Sequence, residues 1–191
     1  MFESFLVSAG VVSLAEVGDK TQLLALVLAA KYRKPVPIIL GIFVASLLSH
    51  AGAGGVGTLL SDVLSPAILN WAVVASFILM AGWILVPDKL DGAEEGISKG
   101  RSGIFLTVAI SFFMAELGDK TQIATVALAA EFHRFLPVVA GTTLGMMIAS
   151  VPVVFLGHRF ADKLPAKAVH ALAAVIFVVL GAMALRNALV G

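Results

Sequence analysis

Three stretches of this chain, Pro35 to Ser61, Val63 to Pro87 and Phe135 to His158, contain no Asp, Glu, Lys or Arg. A fourth, Ala168 to Leu185, is broken only by His170. About 20 apolar residues carry a helix across a bilayer core, so these read as four transmembrane helices. Two further apolar stretches, Phe5–Ala30 and Phe105–Ala130, each hold three formal charges near the middle. A segment of about 26 residues is about 39 Å long as one helix. Its uncharged flanks, Ser4–Ala15 and Thr21–Ala30 in the first case, are each too short to span alone. Each is expected to cross as one long or interrupted helix, with Gly18 or Gly118 as the place to bend. The runs lack the alternation of a lipid-facing barrel strand. The expected fold class is therefore all-α, a polytopic membrane protein of six transmembrane helices.

The charged segments repeat. Glu16-Val-Gly-Asp-Lys-Thr-Gln22 recurs as Glu116-Leu-Gly-Asp-Lys-Thr-Gln122, one hundred positions later. Aligned without gaps, residues 5–64 and 105–164 share 18 identities, including Pro37 with Pro137, Gly41 with Gly141 and Asp62 with Asp162. Deleting one residue then brings Pro66 onto Pro165 and Gly82 onto Gly181. The chain divides into a first three-helix repeat (1–87), a polar linker (88–102) and a second repeat (103–191). Three is an odd number, so the second copy enters the membrane from the opposite side and the repeats are inverted. Lys and Arg set the orientation. Lys31, Arg33, Lys34, Lys89, Lys99, Arg101, Arg159, Lys163 and Lys167 fall on one side, against Arg134 and Arg186 on the other. Both termini are expected outside and the linker in the cytoplasm.

Composition agrees. The chain is 60% hydrophobic and 13% charged, with a net charge of +1 and a mean hydropathy of +1.04. That balance excludes a polybasic nucleic-acid binder and an acidic disordered tail. With no Cys there are no disulfides, thiolate metal sites or lipidated cysteines. No positive charge precedes the first apolar run, so a cleaved signal peptide is not expected.

Six charges stand where charge is expensive: Glu16, Asp19 and Lys20, with their copies Glu116, Asp119 and Lys120. Asp and Lys each oppose insertion by about 2.5–3.5 kcal/mol at a span centre. Intramembrane charge marks function by default. Positions i and i+3 share a helix face, so Glu16 and Asp19 should project together, with Gln22 one step further. Inversion brings Glu116, Asp119 and Gln122 to the same depth. Four carboxylates and two amide oxygens suit a hard cation such as Ca²⁺, Mg²⁺ or Mn²⁺. Four acids and two lysines sum to −2, which one divalent cation neutralises. Crowded, desolvated carboxylates favour the protonated form, so an empty site would hold protons and yield them to a metal.

Blander readings compete. Glu16 with Lys20, and Glu116 with Lys120, are spaced i to i+4 and could be structural ion pairs, which would leave both Asp residues in the membrane. Thr21 and Thr121 could be ligands or bond their own helix backbone. Gly18 and Gly118 allow close approach to an ion or to a helix. The Gly-rich run 51–57 lacks a following Lys-Ser/Thr and reads as helix packing, as do Gly141 and Gly145. His50 reads as a hydrogen-bonded packing residue, with a proton relay as the rival. His133, His158 and His170 read as interfacial, and Met146-Met147 as packing. Asp88, Asp91, Glu94 and Glu95 read as a solvated loop.

The paired Glu-x-Gly-Asp-Lys-Thr segments resemble those of the cation transporters first grouped as uncharacterised protein family sixteen. That family includes bacterial MneA-type manganese exporters and Golgi and chloroplast Mn²⁺ and Ca²⁺ transporters, and lies near the cation/Ca²⁺ exchangers. The resemblance covers nearly the whole chain and implies that Glu16, Asp19, Glu116 and Asp119 bind the cation. Gly18, Lys20, Thr21, Gly118, Lys120 and Thr121 complete the motifs. The short linker is similar to that of bacterial members, for which the family implies Mn²⁺ export across the inner membrane.

The expected function is thus secondary transport of a divalent cation, Mn²⁺ first and Ca²⁺ second, with protons as counter-ion. It is not an enzyme and has no cofactor beyond the cation it carries. A passive channel is the rival class. The lipid bilayer is its surroundings, nucleic acid is no partner, and a homo-oligomer is left open.

Overall fold

The structure, a computed structural model, describes residues 1–83 and 101–156, with helical positions between 175 and 189. Within these residues there is no strand. Seven helices follow in order: α1 (Phe2–Ala15), α2 (Lys20–Tyr32), α3 (Pro35–Val63), α4 (Pro66–Trp83), α5 (Arg101–Glu116), α6 (Lys120–Phe132) and α7 (Phe135–Leu156). The linker from 88 to 100, with its four acids, and His158 and His170 lie outside the described residues. So does most of the expected sixth span.

Both charged segments are interrupted helices. α1 gives way at Glu16 and α2 begins after Asp19, while α5 ends at Glu116 and α6 begins after Asp119. Gly18 and Gly118 have φ of 78° and 71°, a region open to glycine at little steric cost. In each turn the Asp amide donates to the Glu carbonyl, at 3.1 Å for Asp19–Glu16 and 3.0 Å for Asp119–Glu116. Asp19 caps α2, its Oδ1 accepting the Lys20 amide at 2.9 Å. No described residue lies within 4 Å of a Cβ built on Gly118. Gly118→Ala is therefore expected to lose about 1–2 kcal/mol from backbone strain alone, read as a lower melting temperature of the purified protein.

The long helices are uninterrupted. α3 and residues 135–155 of α7 are long and apolar enough to cross a membrane, each with a mean hydropathy of 1.9. Pro35 opens α3 at a position where its missing N–H has no helical partner to lose. Leu40, Leu48, Leu59, Ile148 and Phe155 lie exposed along these two helices. A lipid-facing surface accounts for such a spread of apolar residues better than a watery one.

Helices pack across the copies. α1 makes its largest contact with α7, and α5, its counterpart, with α3. α2 also packs on α7, and α6 on α3. Exchanging the copies maps this pattern onto itself. It holds down to single residues: a Cβ on Gly141 would meet the Phe5 carbonyl, and one on Gly41 would lie 3.0 Å from that of Phe105. Of the glycines read as packing positions, Gly54 packs against Val139, Gly57 against Val126 and Ala129, and Gly141 and Gly145 against α1, whereas Gly52 and Gly55 meet no described residue within 4 Å of a built Cβ. Two buried apolar clusters flank the breaks. One contains Ala15, Val73, Phe77 and Leu128; the other contains Val12, Leu24, Ile42, Val108, Phe112 and Met146.

Candidate cation centre

The two breaks meet inside the protein. Glu16, Asp19, Glu116 and Asp119 are all buried. One carboxylate oxygen from each of Glu16, Asp19 and Asp119 lies within 4.8 Å of the other two, so acids of both copies share one small volume. Glu116 stands beside this trio, its Oε1 accepting from Ser46 Oγ at 2.7 Å.

The reason for this convergence differs from the one the spacing suggested. Glu16 and Asp19 do not project from one helical face. They bracket an unwound turn, Glu16 closing α1 and Asp19 capping α2. Gly18, with its positive φ, lies in the turn between them, and one oxygen of each carboxylate comes within 4.8 Å of the other.

The lysines also depart from the simple pairing. Lys20 Nζ lies 3.0 Å from Asp119 Oδ1, and Lys120 Nζ lies 3.1 Å from Asp19 Oδ1. Each lysine thus reaches the aspartate of the other copy, not the glutamate four residues before it. Lys120 and Asp19 are wholly buried, whereas the Lys20 side chain is 26% exposed. Among the described residues, Glu16 Oε1 and Glu116 Oε2 are buried without a hydrogen-bond partner. A buried carboxylate oxygen left so is disfavoured unless a proton or cation completes it.

The threonines bind acids. Thr21 Oγ1 donates to Glu16 Oε2, and Thr121 Oγ1 lies 3.4 Å from Asp119 Oδ2. Gln22 and Gln122 brace the turns. Gln22 Oε1 accepts the Gly18 amide at 2.7 Å while its Nε2 donates to the Ala149 carbonyl at 3.0 Å. Gln122 Oε1 accepts the Gly118 amide at 3.0 Å while its Nε2 donates to Ser49 Oγ at 3.1 Å. Positions 49 and 149 are equivalent, so each glutamine ties its own break to the long helix of the other copy.

Ser46 and Ser49 belong to no motif, yet Ser46, Ser49 and His50 form the i, i+3, i+4 polar edge of an otherwise apolar span. Their counterparts Met146, Ala149 and Ser150 make the two sides of the centre chemically unequal. His50 is buried, with Nδ1 3.5 Å from Thr143 Oγ1. Met146 is buried in the apolar core, as a packing residue would be.

A centre of clustered carboxylates, with no imidazole in the cluster among the described residues and no Cys in the chain, can hold a hard cation or protons. Comparison with known proteins agrees. The profile of the divalent cation/proton antiporter GDT1 family matches residues 4–92 and 104–191. A protein of Vibrio cholerae whose name offers manganese export as its proposed role is 54% identical over 175 residues, 91% of this chain and 86% of its own. A GDT1-like protein of Synechocystis is 29% identical over 199 residues, 93% of this chain and 94% of its own. A GDT1-like protein of rice is 24% identical over 201 residues, covering 93% of this chain and 71% of its own. No solved structure gives a significant match. With charged helix breaks buried in an apolar bundle and the profile matching almost end to end, the chain belongs to the GDT1 family of divalent cation/proton antiporters.

Proposed function

We propose that the protein exports a divalent cation, Mn²⁺ first and Ca²⁺ second, from a bacterial cytoplasm across the inner membrane in exchange for protons. One observation carries this reading: carboxylates of both copies share a volume under 5 Å across, at two breaks inside an apolar bundle. The name of the Vibrio relative supports Mn²⁺.

Glu16, Asp19, Glu116 and Asp119 are the ligands in this proposal. Gln22 and Gln122, whose oxygens already serve the glycine amides, hold the turns in shape. The chain crosses six times, as inverted repeats 1–87 and 103–191, with the linker 88–102 cytoplasmic and both termini outside. The exchange-symmetric packing supports that arrangement. Rocking of one repeat against the other would open the centre to each side in turn. Carboxylates that lose a cation on one side accept protons there and release them on the other, so the cation and protons use the same atoms.

Proteoliposomes loaded with a pH indicator test this. The exchanger predicts saturable Mn²⁺ flux driven by an imposed pH gradient, with protons moving the opposite way. A passive pore would pass Mn²⁺ without moving protons.

A further inference from the structure

The crossed lysine–aspartate pairs need a role. An ion pair that only tied the copies together could sit anywhere along the α1–α7 or α3–α5 contacts. These two sit on two of the three acids whose oxygens lie within 4.8 Å of one another, and each occupies a carboxylate oxygen that a cation would want. The ammonium groups lie at hydrogen-bond distance, 3.0 and 3.1 Å. A cation such as Ca²⁺ takes carboxylate oxygens at about 2.3–2.6 Å. Both cannot hold the same oxygen with full strength, because the two positive charges would then stand a few ångströms apart in a medium that screens them poorly.

We propose that Lys20 and Lys120 act as tethered stand-ins for the transported cation: they hold Asp119 and Asp19 while the centre is empty of metal and give way when it arrives. This rests on the four-carboxylate reading of the centre and adds the competitor to it. Without the lysines the four acids would carry −4 when ionised, and one divalent cation would leave −2, binding tightly and departing slowly. With both ammoniums present the loaded centre is neutral, and a departing cation leaves acids that already have a positive partner. Because each lysine reaches the other copy's aspartate, the stand-in contact forms only when the two breaks face each other. Cation occupancy is thereby coupled to the relation between the repeats.

The pairs are not equal. Lys120 and Asp19 are shut away from solvent, and Lys20 keeps a quarter of its side chain open. The buried ammonium is the stronger competitor, since water screens it least.

The test is equilibrium Mn²⁺ binding to the purified full-length protein by calorimetry, alongside transport kinetics in proteoliposomes. Lys120→Gln is expected to bind Mn²⁺ tighter by roughly tenfold or more, a modest share of the Coulomb interaction at this range. Its KM should fall and its maximal exchange rate should fall with it, because release slows. Lys20→Gln should move both quantities in the same direction by less, and it remains informative should Lys120→Gln fail to fold. Lys120→Arg, which keeps the charge, should retain an affinity near the native value. Affinity unchanged or weakened in both glutamine variants, with only the melting temperature reduced, would overturn the stand-in role and leave the lysines as ties between the copies. Failure of the underlying reading looks different: Asp19→Asn and Asp119→Asn would then bind Mn²⁺ as the native protein does.

Discussion

Asp19→Asn is expected to abolish gradient-driven Mn²⁺ transport and to destabilise the protein more than Asp119→Asn does. The first effect follows from the loss of one of three acids whose oxygens lie within 4.8 Å of one another. Removing an anionic ligand weakens cation binding by several kcal/mol in a poorly screened interior, so flux should drop roughly a hundredfold or more. The second effect comes from what is left behind. Asp19 carries the pair to Lys120, buried on both sides, so its neutral amide leaves an ammonium without its carboxylate inside the bundle. Breaking a buried pair from one side costs about 3–5 kcal/mol. Asp119→Asn deprives Lys20 instead, whose side chain is 26% exposed and so less confined than that of Lys120. Transport should fall alike in both variants, while the melting temperature falls further in Asp19→Asn. Adding Lys120→Gln to Asp19→Asn should recover stability without recovering transport.

The second large effect lies in packing. A Cβ on Gly141 would run into the Phe5 carbonyl and come within 2.9 Å of Ser8 Cβ, where α7 crosses α1. One on Gly57 would run into the Val126 carbonyl and come within 2.8 Å of Ala129 Cβ, where α3 crosses α6. Backbone cannot move aside as a flexible side chain can, so the helices must separate. Overpacking of this kind typically costs about 1–3 kcal/mol. Gly141→Leu, with four carbons to place, should leave little folded protein. Gly55→Ala is the control: its Cβ would meet no described residue within 4 Å, and alanine gains roughly 0.8–1.0 kcal/mol of helix propensity. Thermal melts in detergent should therefore rank Gly55→Ala at or above native, Gly57→Ala and Gly141→Ala below it, and Gly141→Leu lowest.

Much of this arrangement was legible in the sequence because it is local or repeated. The recurrence of Glu-x-Gly-Asp-Lys-Thr-Gln revealed the duplication, and charges beside a glycine in each apolar segment revealed where the helices give way. The reading of Glu16 and Asp19 on a shared face named the right neighbours through the wrong geometry. Helical periodicity does not apply across an unwound turn, and it is across such a turn, with Gly18 at positive φ, that the two carboxylates come together. The ion pairs could not be read at all from one strand of sequence. Lys20 is four residues from Glu16 but bonds Asp119, a choice set by how the copies face each other. Ser46 and Ser49 were hidden for the same reason, since a serine in an apolar span is ordinary until Glu116 and Gln122 arrive from the other repeat.

The central claim, that Mn²⁺ and protons exchange through one centre shared by both copies, is tested most directly by recording both fluxes in the same proteoliposomes for native protein, Glu16→Gln and Glu116→Gln. The account predicts Mn²⁺ uptake matched by proton efflux in the native protein, with both lost in each variant although the glutamates lie in different repeats. Equal flux in the variants and the native protein, or Mn²⁺ uptake that moves no protons, would contradict it.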